Sequence, residues 1–152
     1  MSLKYFYLAL ACLAITACDE DGGGDVNVND PGPYQLAFHL DASFQAPHGN
    51  QPIRIALVRL SDGVVIAEDS GAISATDDPS FSFIVQAVMA RESSYAVHYW
   101  VDSNIGGGTL GVCDPATIDH QWSVEFFTVT NDISFTVSYE PNLIEYVCNT
   151  FF

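Results

Sequence analysis

From residue 34 onward, apolar and polar positions alternate with a period of two. In YQLAFHLD, Tyr34, Leu36, Phe38 and Leu40 fall on one side, with Gln35, Ala37, His39 and Asp41 on the other. In PIRIALVRL, Ile53, Ile55 and Leu57 share a side. Ser61-Asp62-Gly63 and then VVIAE predict a hairpin, because Asp-Gly tolerates positive φ at both central positions. FSFIV puts Phe81, Phe83 and Val85 together, and SYAVHYWVD sets Tyr95, Val97, Tyr99 and Val101 against Ala96, His98, Trp100 and Asp102. WSVEFFTV and DISFTVSY close the series, the second with Ile133, Phe135, Val137 and Tyr139 on one side. Successive strand residues point to opposite faces of a sheet, so each run predicts a strand with one buried face. No window of about twelve residues has the period of a helix. About seven short strands between polar turns predict an all-β fold, an antiparallel β-sandwich.

Before the strands the pattern changes. MSLK carries one charge, Lys4, and YFYLALACLAITA is apolar but too short to span a bilayer stably, so residues 1–17 are expected to be an export signal. The string Ile15-Thr16-Ala17-Cys18 resembles a bacterial lipobox, with Ile15 where leucine is usual. That resemblance implies that Cys18 receives a diacylglyceryl thioether, becomes the N-terminal residue and is N-acylated, with palmitate as a typical chain. Two or more acyl chains anchor stably where one does not. The alternative is an ordinary secretory signal cleaved after Ala17, leaving Cys18 a free thiol. Residues 18–33 read as the lipidated cysteine and a flexible tether, since DEDGGGDVNVNDPGP has too little apolar side chain to offset the entropy of ordering. Such a coil spans roughly 20 Å. Asp19 after the cysteine resembles the inner-membrane retention signal of enteric bacteria, a rule that varies between groups. The expected address is the cell envelope, on a membrane facing the periplasm or the exterior, with inner versus outer left open. Residues 34–152 are the β-sandwich domain.

Cysteine usage and charge narrow the classes further. Of four cysteines, Cys12 would leave with the signal and Cys18 would carry lipid. Cys113 and Cys148 remain, an even pair that in an oxidising compartment reads as a disulfide. It closes a loop of about 35 residues, worth about 3–4 kcal/mol in the chain-entropy model. Two free thiols or a metal–thiolate pair are the alternatives, without a CxxC to support zinc. Beyond the signal only Arg54, Arg59 and Arg91 face all 19 acids. Nucleic acid and anionic lipid head groups are poor partners for that surface. Cations or salty surroundings suit it, as does plain solvation of an acidic face.

The densest chemistry is VDSNIGGGTLGVCDPATIDHQW, residues 101–122. Asp102, Asn104 and the glycines partly match a D-x-[DN]-x-[DN]-G calcium loop, but Gly106 replaces the third ligand and Cys113 stands where the closing glutamate belongs. Asp102, Asn104, Asp114 and Asp119 are therefore candidate ligands of a weak calcium site. The competing reading is a glycine-rich connection held by Cys113, with Asp102 and Asn104 capping backbone amides. Asp119-His120 is a remote hydrolytic candidate, because an acid can orient an imidazole, but strand neighbours point apart and the pair works only in a loop. Asp119 bonding backbone amides, with His120 packed on Trp122, is the plainer reading. His48, His98 and His120 are alternative transition-metal ligands if they converge. GxSxG, HExxH, Walker and dinucleotide motifs are absent from the sequence.

His48-Gly49-Asn50-Gln51, Tyr95 to Asn104, Gly111-Val112-Cys113-Asp114, Asp119-His120-Gln121-Trp122 and Cys148 together resemble a group of small lipoproteins of Gram-negative bacteria. The GGGTLG insertion departs from that group's shorter loop. The resemblance covers most of residues 44–148 and implies a transthyretin-like or immunoglobulin-like sandwich, with no activity attached. The expected function is a non-enzymatic binding or structural module of the envelope, held by a lipid anchor and taking a protein or cation ligand. A calcium-binding lipoprotein is the alternative.

Overall fold

The computed structural model describes residues 32–152. The export signal, Cys18 and all but the end of the tether lie outside the described residues. Strands β1 (Tyr34–Leu40), β2 (Pro52–Arg59), β3 (Val64–Ala72), β4 (Phe81–Met89), β5 (Tyr95–Val101), β6 (His120–Phe126) and β7 (Ile133–Val137) form two sheets. One has the order β4-β1-β7, the other β3-β2-β5-β6. The fold is an all-β sandwich. Every pair is antiparallel except β1–β7, which run parallel with Phe38 opposite Phe135. A parallel pair needs a long crossover, and the chain between β1 and β7 supplies it with all five other strands. Among the described residues no helix is long and apolar enough to cross a membrane.

The alternation in sequence becomes the alternation of faces. Leu36, Phe38 and Leu40 of β1 pack against Ile53, Ile55 and Leu57 of β2 and Val97, Tyr99 and Val101 of β5, all buried. Phe38 and Tyr99 meet across the sheets at 5.6 Å, and Trp122 stacks on Tyr99 at 5.2 Å. Aromatic pairs at such spacing add about 0.5–1.5 kcal/mol beyond their burial. At the Ser61-Asp62-Gly63 hairpin only Gly63 takes positive φ, 70°. Arg59 grips Asp62 there at 2.7 Å.

Strands β6 and β7 are edges of opposite sheets, and aromatics close the seam between them. Phe126 meets Phe135 at 5.4 Å, and Trp122 meets Tyr139 at 6.1 Å. The outer face of the larger sheet is also covered. Residues 140–152 lie against it as a strap that buries Trp100, and Ala96 and Asp102 are also buried although all three alternate with the inner set. Trp100 packs with Val147, Cys113, Cys148 and Phe151. Cys113 and Cys148 form a disulfide with Cα atoms 5.5 Å apart, within the range this bond requires. Gln121 ties the same region by hydrogen bonds: its Nε2 donates to Asp114 O (2.8 Å) and its Oε1 accepts from Val147 N (3.0 Å).

Candidate functional site

Two clusters hold most of the candidate ligands that the sequence singles out. The first is the 102–119 loop. Asp119 is fully buried, and its Oδ1 accepts from Ser103 N (3.0 Å) and Asn104 N (3.1 Å) while its Oδ2 accepts from Asp114 N (2.9 Å). Asp102 Oδ2 accepts from Gly111 N at 2.6 Å, its Oδ1 takes the Asn104 side-chain amide, and Asp114 Oδ2 accepts from Thr109 N. The loop has no regular ladder to satisfy its amides, so carboxylates do it. At Gly108 a Cβ would lie 2.3 Å from Asn104 Oδ1 and 2.7 Å from Asp114 Oδ2, so any larger residue would displace those side chains. Asp102, Asn104, Asp114 and Asp119 are thus brought together, but their carboxylates turn onto amide donors of the loop. Asn104 Oδ1 is buried without a hydrogen-bond partner. Among the described residues no group of three or more His, Cys, Asp or Glu is placed to hold a metal ion.

The second cluster unites two of the three candidate histidines. His48 ends the short helix α1 (Gln45–His48), and His120 is the first residue of β6. Because His120 lies in a strand, it points away from Asp119, to the inner side it shares with Trp122. His48 Nε2 and His120 Nδ1 are 2.9 Å apart, with the rings perpendicular and their centres 4.8 Å apart. His48 is 2% exposed and His120 half-buried. Tyr139 and Trp122 lie against both rings, and Phe44 against His48. His98 is not part of this group. It faces the strap on the outer side, where its Nδ1 is 2.7 Å from Thr150 Oγ1.

One assignment of protons satisfies both hydrogen bonds of the pair. Gln51 Oε1 is an acceptor 2.7 Å from His48 Nδ1, so that nitrogen carries the proton. His48 Nε2 is then a lone pair, which accepts from His120 Nδ1–H. His120 Nε2 is left as the basic atom of the neutral pair. Asp41 sets the geometry behind it. Its carboxylate accepts from Ser43 N (2.9 Å), Ser43 Oγ and Ser138 Oγ, and Ser43 Oγ in turn accepts from Tyr139 N at 2.7 Å. That bracket locks the 42–48 turn to the residues after β7. Gln51, Tyr139 and Asp41 were not marked by any sequence signal except the HGNQ string, which contains both His48 and its partner.

Burial pulls both imidazoles below the ordinary histidine range. For His48 the Gln51 hydrogen bond opposes that effect and the charge of His120 adds to it; for His120 the nearby Asp119 opposes it. His98 is also lowered by burial, against Glu125 and Glu145. These rings therefore bind protons more readily in the unfolded chain. The stability they contribute is complete above the unfolded value of 6.5 and is lost as pH falls through the depressed folded values. The urea midpoint should fall between about pH 7.5 and about pH 5, and His120→Gln should fall less steeply than wild type. Equal slopes in the two proteins would remove the histidine pair as a cause.

A further surface lies beside the disulfide. Cys113, Pro115, Gln121, Tyr146, Cys148 and Asn149 line a groove of about 300 Å³. Tyr146 is 82% exposed there, and Leu110 of the loop 79%.

The class defined by these features is a two-sheet β-sandwich with a disulfide-pinned acidic loop. No protein-family model matches the chain, and no curated protein matches it. Among solved structures it is similar to a fimbrial assembly protein from Parabacteroides distasonis, with 10% identity over 69% of this chain and a TM-score of 0.41. The chain spans about half of that protein, 52% of its length. A likeness of that size carries no functional weight.

Proposed function

We propose that this chain is an exported, lipid-anchored β-sandwich of the bacterial cell envelope, acting as a non-enzymatic binding or structural module. The observation that carries the reading is the Cys113–Cys148 disulfide. Such bonds form and persist in oxidising compartments outside the cytosol. The Ile15-Thr16-Ala17-Cys18 string supplies the anchor in this reading, and the acidic, glycine-rich stretch after it supplies reach.

The 102–119 loop supports a structural rather than a chemical role. Its carboxylates hold backbone amides, which keeps the loop folded and leaves no free acid–imidazole pair between Asp119 and His120.

Metabolic labelling with palmitate tests the anchor. The wild-type protein should take label and fractionate with membranes, and Cys18→Ser should take none. Unlabelled, freely soluble wild-type protein would sink the proposal.

A further inference from the structure

We propose that His48 and His120 form a two-nitrogen site for a divalent transition-metal ion, copper(II) in preference to zinc. The inference does not depend on the lipid anchor. It rests first on convergence. Two imidazoles from segments 72 residues apart bring unlike nitrogens, Nε2 of one and Nδ1 of the other, to 2.9 Å. Two metal–nitrogen bonds of about 2.0–2.1 Å at a right angle span about 2.9 Å, whereas a tetrahedral angle spans about 3.3 Å. That separation is the length of the hydrogen bond joining the metal-free pair, and a tetragonal ion taking both nitrogens would leave it nearly unchanged. Tetragonal nitrogen and oxygen sites favour copper(II) or nickel(II), and copper(II) heads the divalent affinity order.

The second support is the outer partner. Gln51 Oε1 holds the proton of His48 on Nδ1 and so leaves its Nε2 as a lone pair that can bind once the His120 proton is gone from between the rings. Metal-bound histidines are typically oriented in this way by a hydrogen bond to the other ring nitrogen. Both rings must turn until their lone pairs meet at the ion, and the tautomer changes at His120. In the metal-free pair its proton sits on Nδ1, and on binding it moves to Nε2, so two neutral rings bind the ion with no net proton release.

The third is the surroundings. Phe44, Trp122 and Tyr139 wall the pair, and His120 is the half-buried member. No third His, Cys, Asp or Glu joins them among the described residues. The remaining positions on the ion therefore belong to water or to an exogenous oxygen ligand.

The full chain has four histidines, His39, His48, His98 and His120. His39→Gln with His98→Gln leaves only the proposed pair and does not touch it. The full-length protein in detergent, given one equivalent of copper(II), is read by electron paramagnetic resonance. Wild type and the double variant should show the same superhyperfine pattern of two nitrogens. His120→Gln should lose the two-nitrogen pattern and about tenfold or more in affinity. Zinc should compete poorly. An oxygen-only or one-nitrogen spectrum in wild type overturns the site, as does loss of the two-nitrogen pattern in the double variant. Should His120→Gln fail to fold, the double variant alone decides between these outcomes.

Discussion

Asp119→Ala is expected to cost about 3–5 kcal/mol and to loosen the whole 102–119 loop. The carboxylate lies at zero exposure and accepts from three backbone amides, those of Ser103, Asn104 and Asp114. Hydrogen bonds to a charged group are worth about 1.5–3 kcal/mol each, and a buried donor left without a partner loses its solvation as well. The contributions do not add fully, because the freed loop recovers some water contacts. Asp119→Asn keeps the shape but turns one acceptor into a donor facing an N–H, so it should cost a substantial part of the same energy. Urea unfolding of the two variants and wild type measures this. A loss under about 1 kcal/mol for Asp119→Ala would mean that the loop folds without its buried acid.

Replacing both Cys113 and Cys148 by serine should cost about 2–4 kcal/mol. The bond ties the loop to the strap over a separation of 35 residues. Without it the strap is held by the packing of Val147 and Phe151 on Trp100, the Gln121 hydrogen bonds and the Arg54 guanidinium over Phe151. Limited proteolysis should then cut first within residues 140–150, while the sheet signal in circular dichroism persists. Trp100 should become more exposed and its fluorescence shift to the red. Phe152 will report nothing, because it is already 85% exposed. An unchanged melting temperature under reductant, with the thiols shown to be free, would contradict this role.

The strands were legible because their inner faces are local facts. Tyr95, Val97, Tyr99 and Val101 announce a buried face by alternation alone, and all four are buried. The outer face was not legible. Trp100 is buried by the strap, a contact between segments about fifty residues apart that no period encodes. The parallel β1–β7 pair was equally hidden, since strand pattern carries no direction. At the site, cysteine counting identified the Cys113–Cys148 bond because only two cysteines remained to pair. His48 and His120 could be named as metal-ligand types but not joined. Their meeting depends on the Asp41–Ser43–Ser138 bracket that folds the 42–48 turn against the end of β7. Grouping His98 with them fails for a simpler reason: it faces the opposite side of the larger sheet from His120.

Mass spectrometry of the full-length protein isolated from the cell envelope, digested without reduction, tests the central claim most directly. The account predicts an N-terminal peptide beginning at Cys18 and carrying a diacylglyceryl thioether and an N-acyl chain. In the same digest it predicts a cross-linked peptide pair joining Cys113 to Cys148. An unmodified Cys18 peptide together with freely alkylated Cys113 and Cys148 would contradict it.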